Sequence, residues 1–414
     1  MSPTLSAVLH AAERHQGLAC FDTAQQETIV TWGESEPHTE VHTWQAFVRE
    51  NLRFKEDIGD RYSGGVVGWL GYESGSAVER MPAPVGPRRT HDVCLWRTEG
   101  SIVKDHHTGK WRVHGTGSFH EAAENLLARA SIATESIPRR TANHTTDSPN
   151  PSQPARYQDG VRRVLDHVRA GDVYQVSLAW EHEPIVVGSG LQTWLKLRRQ
   201  NPALRGCYLR TGGTEILSNS PELFLELDPQ TRTVRSIPIK GTAPISEGSD
   251  GRMRLENSAK ERAELTMIVD LVRNDLGRIA TPGSVVAHPR TIRQCGDLWH
   301  AEQLVEARVV DSLDAVDVVS SSFPPGSVTG APKVRAMQVI AELEDGPRGV
   351  YTGAIGWFAN NGGAHLNVAI RTATVQNGQA SFHVGAGIVA DSDPQAEWDE
   401  TLAKARALKE ALHP

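Results

Sequence analysis

The sequence predicts an α+β fold built on antiparallel β-sheets. Three features of its 414 residues lead there: a few helices of strong apolar periodicity, many short β-branched runs joined by short turns, and no regular β-α-β alternation. At 39% hydrophobic residues the chain is too apolar for disorder, and its length makes one large or two ordinary domains. A balance of 43 basic against 50 acidic residues gives a net charge of −7, which supplies no field for wrapping nucleic acid. No apolar run reaches the roughly 18 residues of a membrane helix, and Met1 to Gln16 lacks the layout of a signal peptide, so a cytoplasmic protein without membrane contact is expected. Cys20, Cys94, Cys207 and Cys295 never form C-x-x-C, and no G-x-C-x-G or G-x-S-x-G elbow occurs. Zinc sites, disulfide frameworks and the usual nucleophilic hydrolases are thereby disfavoured.

In chain order, Gly64 to Tyr72 and Ile102 to His114 read as strands, and Phe119 to Ala130 reads as a helix. Pro138 to Ala155 is rich in Pro, Ser, Thr and Asn and reads as a linker or surface loop between residues 1–137 and 156–414. In Tyr157 to Ala170, Val161, Val164, Leu165 and Val168 recur at helical spacing. Strands are then expected at Val173 to Trp180, Cys207 to Leu209, Glu215 to Leu217, Leu223 to Leu227 and Val234 to Ile239. Helices over Ser258 to Leu276 and Asp393 to Leu412 bracket further strands at Gly353 to Phe358, His365 to Thr374 and Ala380 to Val389.

Within the two long helices, Glu261 and Glu264 share a face, as do Glu397, Glu400 and Lys404. One such pair is ordinarily a solvated helix face, but two on converging helices would suit Mg²⁺, which takes hard oxygen ligands and leaves room for an acidic substrate. Phe323 to Lys333 lacks the G-K-[ST] of a phosphate loop, and the G-x-G-x-x-A at Gly385 to Ala390 does not open a helix. Both can still bring backbone N–H groups close to an anion. Lys240, in Ser236-Ile-Pro-Ile-Lys-Gly-Thr-Ala-Pro244, is either a solvated strand end or a nucleophile whose pKa is lowered by its surroundings.

Seven segments carry a resemblance: SNSPELF (Ser218 to Phe224), SIPIKGTAP, AKERAELTMIVDLVRNDLGR (Ala259 to Arg278), FPPGSVTGAPKVRAM (Phe323 to Met337), YTGAIGWF, NVAIRT (Asn367 to Thr372) and GAGIVADSDPQAEWDET (Gly385 to Thr401). Their order resembles that in the chorismate-utilising enzymes, a family of anthranilate, aminodeoxychorismate, isochorismate and salicylate synthases. The match spans about Tyr157 to Leu412, and GGVVGWLGYESG (Gly64 to Gly75) is similar to the family's N-terminal half more loosely.

The resemblance implies an α/β complex in which two antiparallel β-sheets face each other with helices outside, so that residues 138–155 form a loop rather than a boundary. It implies Mg²⁺ on Glu264 and Glu400, with Glu261 and Glu397 holding metal-bound water. Tyr351, Arg371 and the Gly385, Ala386 and Gly387 backbone resemble the pocket for the enolpyruvyl carboxylate of chorismate. Thr329 and Lys404 resemble further lining residues, and Glu222 resembles the general acid/base.

Members that add water to the ring carry a lysine where this chain has Gln175, and glutamine cannot deprotonate water. Lys240 stands where aminodeoxychorismate synthases read P-I-K-G-T and anthranilate synthases usually read P-I-A-G-T. The resemblance therefore leans towards the aminodeoxychorismate branch, with Lys240 as covalent nucleophile and ammonia arriving from a separate glutamine amidotransferase subunit. Anthranilate synthesis, or a weak paralogue serving as amidotransferase partner, are the alternatives. One departure is Gln303, which stands where the family usually has a histidine, with His300 three residues upstream. The tryptophan-site motif L-L-E-S is not clearly present, Leu18 to Asp22 being the nearest segment, so tryptophan feedback is not expected.

Overall fold

A computed structural model describes residues 2–413 apart from 53–61, 83–85, 87–89, 116 and 133–151. Its architecture is four layers, helix–sheet–sheet–helix. The first sheet has ten strands, running from Gly330–Ala331 through Gln175–Val186, Gln379–Ile388, Thr372–Gln376, Thr214–Ser220 and Arg205–Thr211 to Gly17–Asp22, Glu27–Gly33, Gly100–Asp105 and Trp111–Gly115. The second has eight, from Val286–Ala287 through Val305–Arg308, Thr233–Ile237, Leu223–Leu227, Ala364–Val368 and Ala354–Ala359 to Gly65–Leu70 and Val93–Thr98. A three-stranded sheet of Ile239–Pro244, Leu298–Glu302 and Thr291–Cys295 completes the set, and the strand pairs are antiparallel throughout.

Alternating side chains sort the strands between cores. In Gly17–Asp22, Leu18 and Cys20 face the helices over the first sheet, whereas Ala19 and Phe21 enter the core between the sheets. In Gly65–Leu70, Val67 and Trp69 enter that same middle core, whereas Val66 and Leu70 face the helices over the second sheet. The N-terminal third is thus laid into both sheets, Gly17–Asp22 pairing with Arg205–Thr211 and Gly65–Leu70 with Ala354–Ala359.

Three expected elements differ. Ile102 to His114 is a hairpin rather than one strand, because Asp105 accepts the His107 and Thr108 N–H groups (2.9 and 3.0 Å) and turns the chain. The 138–151 part of the expected loop lies outside the described residues, and Gln153 to Ala155 already belong to the helix Gln153–Arg169, whose first turn accepts Pro154. The apolar run His365 to Thr374 is two strands in different sheets, and the chain breaks at Arg371, whose φ is 51°.

Candidate functional site

The site lies where the chain changes sheets. Thr214–Ser220 belongs to the first sheet and Leu223–Leu227 to the second, so Glu222 sits in the crossing. Ala364–Val368 and Thr372–Gln376 cross back beside it, carrying Arg371. Backbone bonds tie the crossings together: the Val368 N–H donates to Glu222 O (3.0 Å) and the Asn219 N–H to Arg371 O (3.0 Å). A third switch at Pro238, which cannot continue a ladder, sends Ile239–Pro244 into the small sheet with Lys240 on it. The strand expected over Val234 to Ile239 therefore ends at Ile237.

Glu222 is 3% exposed, and burial pushes its carboxyl up to about 7, against the Ser327 hydroxyl, the Ile239 N–H and the charges of Lys240 and Arg205, which pull it down. It is therefore a carboxyl able to carry a proton near neutrality. Burial lowers the Lys240 ammonium and Lys404 lowers it further, while Glu264, Glu222 and Glu400 act in the opposite sense. A lowered pKa enlarges the neutral, nucleophilic fraction of the amine. Gly387 gives Lys240 its room: a Cβ there would stand 3.3 Å from Lys240 Nζ and 2.9 Å from Gln175 Nε2. Gln175 is fully buried, and neither amide atom has a hydrogen-bond partner. A polar group so placed is what a bound ligand relieves.

The glutamates of the helices Ala259–Gly277 and Pro394–Leu412 influence one another electrostatically. Burial raises Glu261 and Glu264, and Glu400 raises both further. Burial also raises Glu397, against the Ser392 hydroxyl, which donates to it at 2.6 Å. Burial would raise Glu400 too, but the Lys404 ammonium at 2.7 Å outweighs it and holds that carboxyl below its usual value. Gly241, at φ 91°, lets Glu261 approach the Lys240 strand, since a Cβ there would be 2.4 Å from Glu261 Oε2. That oxygen is buried without a hydrogen-bond partner.

All-carboxylate donors with one orphaned oxygen fit a hard divalent cation. Among the described residues no three His, Cys, Asp or Glu side chains are gathered closely enough to hold an ion. Lys404 Nζ also donates to Gly385 O (3.0 Å), which joins the carboxylate cluster to the glycine turn.

Tyr351 stacks on His383 (centroids 5.4 Å apart) and faces the guanidinium of Arg348. It borders a cavity of about 530 Å³ that extends past Tyr157, Thr372 and His383, and Lys240 is not among the residues lining it. Arg348 is fixed by Glu344, Val328 O, Thr352 and Ser177 O. By contrast the Arg371 guanidinium, whose pKa burial lowers, has no hydrogen-bonded or ion-pair partner among the described residues and is free to take an anion.

Thr329, Gln303 and His300 each have defined partners. The Thr329 hydroxyl donates inside its own loop to Pro325 O and Gly326 O, and Ser327, two residues earlier, lines one small cavity with Glu222. The Gln303 amide donates to His288 O (2.8 Å). His300 is buried, with Nδ1 3.1 Å from the Thr242 hydroxyl and Nε2 unpartnered, and burial together with Arg371 holds it neutral with a pKa of about 3.

Two facing antiparallel sheets, with a proton-carrying carboxyl, a desolvated lysine, a free arginine and a carboxylate cluster at their crossings, define an enzyme for a small acidic substrate. The chain belongs to the chorismate-binding enzyme family, whose model matches residues 7–410. It is 35% identical to anthranilate synthase component 1 of Streptomyces coelicolor, over 85% of this chain and 73% of that one. It is 32% identical to aminodeoxychorismate synthase component 1 of Escherichia coli, over 98% of this chain and 92% of that one. Among solved structures it superposes on anthranilate synthase component I from Streptococcus pneumoniae with a TM-score of 0.79 at 28% identity, covering 94% of this chain and 89% of that one. The menaquinone-specific isochorismate synthase of Escherichia coli shares the fold, with a TM-score of 0.74 at 18% identity over 99% of this chain and 91% of that one. Among the described residues no helix is long and apolar enough to cross a membrane.

Proposed function

We propose that this chain is the synthase component of an aminodeoxychorismate synthase, converting chorismate and ammonia to 4-amino-4-deoxychorismate. The observation that carries the reading is Lys240, whose ammonium is held below its usual pKa within the field of the protonatable Glu222. An alanine there, as anthranilate synthases usually have, could not act as a nucleophile. Neutral Lys240 Nζ forms a bond to ring carbon 2, both conjugated ring double bonds shift by one position (C1=C2 and C5=C6 become C6=C1 and C4=C5), and the carbon-4 hydroxyl leaves as water with the Glu222 proton. Ammonia then bonds to carbon 4, both double bonds shift back, the carbon–lysine bond breaks to restore the amine, and Glu222 recovers a proton from the new ammonium. Two displacements give retention at carbon 4.

Arg371 and the Gly385 to Gly387 backbone take the enolpyruvyl carboxylate in this reading, with Tyr351 as the wall. Glu264 and Glu400, with Glu261 and Glu397 behind them, would hold Mg²⁺, which supplies charge neutralisation for the ring carboxylate. A separate glutamine amidotransferase would supply the ammonia for a product that feeds p-aminobenzoate and folate synthesis.

Anthranilate synthase component I is the second reading, because relatives of that name match at similar identity. Product analysis with chorismate, Mg²⁺ and ammonium separates the two. A product from which the next lyase releases p-aminobenzoate supports the proposal, and fluorescent anthranilate overturns it.

A further inference from the structure

The segment from Ser322 to Lys333 touches the site at several points. Its Ser327 lines one small cavity with Glu222, its Val328 carbonyl accepts from Arg348 (3.0 Å), and Gly330–Ala331 pairs with Val176 and Gln175. One side chain closes it. Lys333 Nζ lies 2.7 Å from the Ser322 carbonyl and 2.7 Å from Asp275 Oδ2, so a single ammonium grips both ends of the loop and fastens them to the Ala259–Gly277 helix. That helix carries Glu261 and Glu264. Lys333 and Asp275 have side chains only 12% and 4% exposed, and neither is within reach of Lys240 or Glu222 by hydrogen bonding.

An ordinary fold contact could be made by any packed pair, and a buried ion pair contributes little net stability over apolar side chains of the same volume. What it does supply is a fixed geometry. Gly326 lies against Leu271 of the same helix, where a Cβ would be 2.7 Å from Leu271 Cδ2, so the loop seats at one height only, with Ser327 one residue further on.

We infer that Lys333 and Asp275 are positioning residues for chorismate turnover, holding the Ser322 to Lys333 loop so that Ser327 stays beside Glu222 in the cavity that both line. The inference rests on Glu222 as the proton donor of the proposed reaction. The groups that bear on Glu222 are Lys240, Arg205, Arg371, the Ile239 N–H and Ser327; of these, only Ser327 is carried by this loop. Its hydroxyl favours the charged carboxylate, so loosening the loop lets the Glu222 pKa rise. A donor acts only while protonated, so the alkaline limb of kcat/KM moves to higher pH.

The test is Lys333→Met combined with Asp275→Leu, which removes both charges together and spares the fold an unpaired buried ion. Lys333→Gln, which keeps a donor for the Ser322 carbonyl, is carried in parallel in case the double variant does not fold. Chorismate consumption and product identity are measured in the same reactions, with Tm as the check on folding. The expected result is a folded protein whose kcat falls at least tenfold, whose KM for chorismate changes less than threefold, and whose alkaline limb moves up by half a pH unit or more. A folded variant with an unmoved limb overturns the inference, whether or not kcat falls. Product identity in the unaltered enzyme reports separately on the proposed function, so failure of one is not mistaken for failure of the other.

Discussion

Lys240 and Glu222 do opposite things with the same burial. Desolvation disfavours the charged form of each, which makes the lysine a better nucleophile and the carboxyl a better proton donor near neutrality. Activity that needs protonated Glu222 falls as pH rises through about 7, and Glu222→Gln should remove that limb while lowering kcat by about 10²-fold or more, as a pH–rate profile would show. The same shift affects stability. Because the folded carboxyl titrates above the ordinary value of 4.5, its contribution is favourable below that value and is lost as pH rises to about 7. Glu222→Gln should flatten the stability curve in that window, measured by denaturant unfolding at several pH values. The place of Ser327 beside Glu222 was not read from the sequence, because it depends on the path of the Ser322 to Lys333 loop and on the Gly326 contact with Leu271, and neither leaves a period in the sequence.

Among the elements, the helices were the most legible. Val161, Val164 and Leu165 at helical spacing mark the Gln153–Arg169 helix, and the two glutamate-bearing helices were expected within one or two residues of their observed bounds. The sheet crossing at Arg371 was not legible, because the apolar run His365 to Thr374 continues through it with no Gly or Pro to announce it. The electrostatic influence of the two helices' glutamates on one another also needed three dimensions. From it follows a metal prediction: Glu264→Gln or Glu400→Gln should raise the Mg²⁺ concentration for half-maximal rate by tenfold or more, and unchanged metal dependence would contradict the clamp. Lys404→Met should have the reverse effect on Glu400, freeing its carboxylate at the expense of the contact to Gly385 O; Mg²⁺ binding followed calorimetrically without substrate would show the gain.

For the whole molecule, the two sheets are held by a middle core in which Trp69 and Trp96 meet edge to face at 6.5 Å, each at most 1% exposed. Both come from the N-terminal third, so Trp96→Ala should destabilise the protein by about 3–5 kcal/mol, and urea unfolding should show one transition if the third and the catalytic part share that core. The net charge of −7 means the overall field does not draw in a dianion, and the local cations Arg371, Lys240 and Lys404 must do so. The central claim is that Lys240 forms a bond to the substrate. Its most direct test is peptide mass spectrometry of the enzyme held with chorismate and Mg²⁺ in the absence of ammonia, without any reductant. The account predicts an adduct on the peptide bearing Lys240 that ammonium discharges and that Lys240→Ala abolishes. An adduct that persists in the variant, or turnover by the variant at the unaltered rate, would contradict it.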